Sequence, residues 1–161
     1  MSTMMEAAHM DGGQSAGVAP FPPPGMSFTI KRAGGRPLRF EGSELAMAMS
    51  YTPAIPYWYE INLYRTVDQR FVAAVRLFHQ SPEKQDTVRA WECASVDDAM
   101  DRLTGYDAGF DVPVDMDLDM TGMPPAEMAA KALHLQSRIA DARHHYQSLV
   151  GEFLHDIQAG G

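Results

Sequence analysis

Three runs of β-rich sequence constrain this chain more than anything else in it. They are Tyr57-Trp58-Tyr59-Glu60-Ile61-Asn62-Leu63-Tyr64-Arg65, then Arg70 to His79, then Asp86 to Cys93. Aromatic and β-branched residues recur along each run, and no Gly or Pro interrupts one. Two short polar breaks separate the runs, and that pattern predicts an antiparallel meander. A three-residue loop, Val67-Asp68-Gln69, would set Ile61 opposite Val75, Leu63 opposite Ala73 and Glu60 opposite Arg76, the last an attractive cross-strand pair, whereas a two-residue loop would shift the pairing. In the three-residue register Tyr59, Ile61, Leu63, Phe71, Val75 and Leu77 line one face. Trp58, Glu60, Asn62, Tyr64, Arg76 and Phe78 line the other.

The segment ahead of the meander extends the sheet. Phe28 and Ile30 alternate with Thr29 and Lys31, and Leu38 and Phe40 alternate with Arg39 and Glu41. Between them Ala33-Gly34-Gly35-Arg36-Pro37 is turn chemistry. Leu45, Met47, Met49 and Tyr51 then share a face across from Ala46, Ala48 and Ser50. Their period of two favours strand over the helix that Ala, Met and Leu also permit. Gly42-Ser43 is the expected bulge between the two halves. Pro53 and Pro56 make Thr52–Pro56 a connector.

Two helices follow. Ser95 is a fitting N-cap for a short helix at 96–104, with Asp97, Asp98 and Asp101 near its positive end. Val96, Ala99, Met100 and Leu103 form its apolar face, and that helix is expected to cover one face of the sheet. After Pro124-Pro125 no proline interrupts the sequence to Gln158, which predicts a long helix. Leu135, Ile139, Ala142, Tyr146, Leu149 and Phe153 recur at alternating spacings of 4 and 3, a heptad-like seam suited to a partner or a second copy. The expected class is therefore α+β: a four- or five-stranded antiparallel meander sheet, a short helix and a long C-terminal helix. The expected divisions are a Pro/Met-rich tail without fixed structure (1–25), the sheet with its short helix (26–110), an acidic linker (111–123) and the long amphipathic helix (124–161). That helix is also expected to cover the face carrying Trp58, Tyr64 and Phe78.

Charge and cysteine content narrow the function classes. The net charge is −8, but residues 26–110 hold 10 basic and 11 acidic side chains, so the acidity sits in the flanking segments. An acidic chain is a poor general binder of nucleic acid, whose affinity comes largely from neutralised phosphates. One cysteine, Cys93, permits no intrachain disulfide, and its neighbours suggest a small core residue. No apolar run is long enough to span a bilayer and the start has no leader pattern, so the expected location is cytoplasmic, with no membrane partner.

Four constellations carry possible chemistry. Asp115, Asp117 and Asp119 alternate as at the start of a calcium loop, but Met120 stands where that loop needs Gly, and Ala126 where it needs Glu. His134, Asp141 and His145 share a helix face without a fourth ligand or an HExxH motif. Met4, Met5, His9 and Met10 are soft donors in the tail, better explained by composition. Lys31, Arg32, Arg36 and Arg39 form a basic hairpin whose Gly35-Arg36-Pro37 matches the core tripeptide of an AT hook, without its second Arg-Gly step. Charged hairpins also protect sheet edges. No nucleophile elbow, P-loop or dinucleotide fingerprint is present.

The sequence therefore points to a non-enzymatic interaction or adaptor protein without a cofactor. Its expected contact residues are Leu135, Ile139, Tyr146, Leu149 and Phe153 on the helix and Trp58, Tyr64, Arg76 and Phe78 on the sheet. The alternative is a nucleic-acid-binding regulator using the basic hairpin and the aromatic sheet face. A metal-dependent enzyme ranks last.

Overall fold

The computed structural model describes residues 25–113 and 122–160. The Pro/Met-rich tail and the Asp115–Asp119 repeat lie outside the described residues. Five strands run in sequence order, each antiparallel to the next: β1 (Met26–Ile30), β2 (Leu38–Met49), β3 (Tyr57–Thr66), β4 (Phe71–His79) and β5 (Thr87–Cys93). The central register is the one the three-residue loop dictates, with Glu60 opposite Arg76, Ile61 opposite Val75 and Leu63 opposite Ala73. That loop closes with Thr66 N–H donating to Arg70 O at 2.8 Å and Gln69 N–H to Thr66 O at 3.1 Å. Gln69 supplies the left-handed residue the loop needs, at φ 68°.

β2 is a strand through Met49, as its period-two pattern requires. The bulge falls at Leu45, between Glu44 and Ala46, and not at Gly42-Ser43. Gly42 has a different task. A Cβ there would stand 2.0 Å from Arg65 O, so the close approach of β3 excludes any side chain.

Strand alternation sends residues to two faces, and each face builds its own core. On the first, Tyr59, Ile61, Leu63, Ala73, Val75, Leu77 and Cys93 are buried together. Helix α1 (Val96–Gly105) covers part of this face with Ala99 and Leu103. Ser95 caps it, its hydroxyl accepting from Asp98 N–H at 3.1 Å. Helix α2 (Pro125–Gly160) covers the rest with Ala142, Tyr146, Leu149, Val150 and Phe153. Burying a side chain such as Leu149 or Phe153 contributes about 1.5–3 kcal/mol.

The second face forms a smaller core from Ile30, Leu38, Tyr64, Val72, Ala74 and Ala90. These residues come from all five strands, so the sheet must fold over them. β1 and β5 are opposite ends of the strand order, yet Ala33 N–H donates to Val88 O at 2.8 Å. The sheet is a half-barrel whose β1–β2 turn reaches across to β5. The Tyr64 side is its inside and the helices pack on its outside.

This arrangement corrects one expectation. The long helix does not cover the Trp58–Phe78 face. It packs on the opposite side, against Ala46, Ala48 and the Tyr59–Leu77 row. The chain stays in the folded body across 110/111. Ala108–Asp111 is a 3-10 turn, and Asp111 is anchored in the folded body. Among the described residues, no helix is long and apolar enough to cross a membrane.

Candidate binding surface

The inside of the half-barrel is closed at one end and open at the other. At the closed end Phe28, Phe40 and Tyr64 pack ring on ring, with centroids 4.9 to 5.3 Å apart. At the open end Met47 and Met49 on β2 lie opposite Asn62 and Glu60 on β3. Trp58 stacks on Phe78 at 5.6 Å, and Tyr51 meets Trp58 edge-on at 5.0 Å. Met47, Met49 and Tyr51 are 51%, 45% and 56% exposed. Contiguous exposed apolar side chains of this size mark interaction sites more often than chance.

A polar seam runs beneath them. Asn62 is 2% exposed, and its amide is used at both ends. Its Nδ2 donates to Glu44 Oε2 at 2.8 Å, and its Oδ1 accepts from Arg76 Nε at 3.0 Å. Arg76 also donates from Nη2 to the Tyr64 hydroxyl at 3.2 Å and lies 3.6 Å from Glu60 Oε2. Burial pushes the Tyr64 phenol upward against the opposing pull of Arg76, so it stays protonated. The seam holds Arg76 among protein partners and makes it a positioning group for the aromatic wall.

The sequence picks out Trp58, Tyr64, Arg76 and Phe78, but the structure divides them. Tyr64 belongs to the buried inner core, Arg76 to the polar seam, and Trp58 and Phe78 to the half-buried rim. The helix seam is divided too. Tyr146, Leu149 and Phe153 are 1–2% exposed and pack in the core on the chain's own sheet. Leu135 and Ile139 are half-buried, while Leu133, outside the seam, is 65% exposed. Helix α2 has 36 residues, about 54 Å at 1.5 Å per residue. Its fully buried positions begin only at Ala142.

A second concavity, about 210 Å³, opens where α2 meets the outer face, lined in part by Tyr57, Tyr59, His79, Asp111, Arg138 and Asp141. Its chemistry centres on Asp111, whose side chain is 3% exposed. Tyr59 OH donates to Asp111 Oδ2 at 2.9 Å, and Tyr106 OH lies 2.6 Å from Oδ2 and 2.7 Å from Oδ1. Arg89 Nε donates to the Tyr106 hydroxyl at 3.2 Å, with its Nη2 4.0 Å from Asp111. Burial, reinforced by Asp111, drives both phenols well above the ordinary tyrosine value. They are fixed donors rather than proton acceptors, and the cluster fastens the 3-10 turn to the sheet. Nothing in the local sequence separates Asp111 from the other acids of its segment. Its partners, Tyr59 and Tyr106, come from β3 and the end of α1.

The remaining candidates are dispersed. His145 Nε2 lies 2.7 Å from Ser50 Oγ and its ring meets Tyr57 edge-on, so it belongs to the helix–sheet contact. Burial and neighbouring His144 lower its pKa. His134 and Asp141 are exposed. Among the described residues, no group of three His, Cys, Asp or Glu side chains is placed to hold a metal. Cys93 is buried, and burial raises its thiol pKa. Of the basic hairpin, Arg32 bonds back to Arg36 O at 2.8 Å and reaches Ala90 O at 3.4 Å, whereas Lys31, Arg36 and Arg39 are exposed.

Compared with known proteins, the chain matches no family model, no curated protein and no solved structure.

Proposed function

We propose that the protein is a non-enzymatic binding module that presents the open end of its half-barrel to an apolar surface on a partner protein. One observation carries this reading: Met47, Met49 and Tyr51 stand exposed around the Trp58–Phe78 stack, where neither helix reaches. Unbranched, polarisable methionines beside rigid aromatics adapt to apolar surfaces without a preformed pocket. The exposed first turns of α2, with Leu133, supply a second contact. A reducing cytoplasm suits the single buried thiol of Cys93.

Photo-crosslinking tests the reading. A crosslinker at Met49 in the cells that make the protein is expected to capture a discrete partner, and Trp58→Ala is expected to abolish capture while leaving the fold intact. Capture unaffected by Trp58→Ala, or none at all, removes the proposal.

A further inference from the structure

β1 pairs with β2 only from Leu38 to Gly42. From Ser43 to Met49, β2 pairs with β3 on one side, and among the described residues no strand pairs with the other. The direction of the backbone groups follows from the ladder. Ser50 N–H donates to Tyr59 O at 2.9 Å, so Ala48 and Ala46, two and four residues back, face β3. The N–H and C=O groups of Met47 and Met49 then point to the bare edge.

The edge lacks the usual protection. It carries no Lys and no Pro, and its one charged residue, Glu44, is bonded to Asn62. The bulge at Leu45 sits near one end and leaves Ala46–Met49 regular.

We propose that β2 pairs with β2 of a second copy, antiparallel across a two-fold axis at Met47, joining two half-barrels into one continuous sheet. The sequence is self-complementary in that register. Met47 faces its own copy, and Ala46 faces the second copy's Ala48, both within the regular stretch beyond the bulge. The one charged residue of the edge, Glu44, lies beyond the bulge and is held by Asn62, so no like charges oppose in the paired stretch. The two Met47 residues are then a hydrogen-bonded pair that exchanges both bonds. Exposed methionine rows meet on the inner face, and the two α2 helices lie in one layer on the outer face. This goes beyond the proposed partner contact, because it uses the edge of the sheet rather than its open face.

Sedimentation velocity of the full chain over a concentration series tests it, with amide hydrogen exchange at low and high concentration. The chain is expected to move from 17.8 kDa to twice that mass, with Met47 and Met49 amides slowing at least ~tenfold in the dimer. Met47→Lys and Met49→Lys, both at exposed positions, are expected to stay monomeric with unchanged circular dichroism. Leu133→Lys on α2 and Trp58→Ala on the open face are expected to dimerise normally. A chain that is monomeric at every concentration overturns the proposal. So does a dimer whose Met47 and Met49 amides exchange at the monomer rate, or one lost with Leu133→Lys. A dimer that persists while Trp58→Ala loses the crosslinked partner separates this edge from the binding face.

Discussion

The two faces of the sheet obey the same alternation and end differently. On the outer face small residues such as Ala46, Ala48 and Ala73 let two helices approach, and Ala99, Tyr146, Leu149 and Phe153 of those helices fill the remaining space. On the inner face curvature replaces helices, because β1 and β2 fold over Tyr64, Val72 and Ala90. Curvature closes only one end. At the other, Met47, Met49 and Tyr51 remain exposed around Trp58. An apolar row is therefore core or contact surface according to what the chain can bring over it.

Substitutions can sharpen or break that contrast. The largest loss is expected at the outer face, where Phe153→Ala should cost about 3–5 kcal/mol in chemical denaturation. Leu133→Ala on the same helix should change stability by less than ~0.5 kcal/mol. Equal losses would show that α2 docks along its whole length. Gly42→Ala should cost about 1–3 kcal/mol, because its methyl group meets Arg65 O. Asp111→Ala should lie in a similar range of about 1–3 kcal/mol, since it leaves the buried hydroxyls of Tyr59 and Tyr106 without their acceptor. On the inner face, Met49→Ser should move stability by only ~0.5 kcal/mol or less.

Smaller effects concern the joints between the layers. His145 titrates below its ordinary 6.5 because burial disfavours the cation. The unfolded chain therefore binds the proton first as pH falls, and stability present above about 6.5 declines as pH drops toward the folded value. Thermal melts from pH 7 to 5 should fall less steeply for His145→Gln than for the parent chain. Gln69→Gly should raise stability by up to ~1 kcal/mol, because it relieves a left-handed backbone at φ 68°.

Local pattern made the meander and the helix starts legible, while the meander's register stayed open between two loop lengths. Loop length fixes pairing, and Ser95 and Pro125 announce helix ends by their own chemistry. Which face received α2 was not legible. Leu63 and Tyr64 are both apolar, and sheet curvature, which no single run encodes, decided that the inner side would close on itself. The same non-locality hid Asp111, whose partners lie 52 and 5 residues away. The heptad-like seam was read correctly as apolar, but spacing alone does not distinguish a partner's surface from the chain's own sheet.

Hydroxyl-radical footprinting of the chain at a concentration low enough to keep it monomeric, read residue by residue by mass spectrometry, tests the central claim most directly. The account predicts rapid modification of Met47, Met49 and Trp58, and protection of Tyr59, Tyr146 and Phe153. Protection of Trp58 and Phe78 with rapid modification of Tyr59 and Leu77 would place the long helix on the inner face and contradict it.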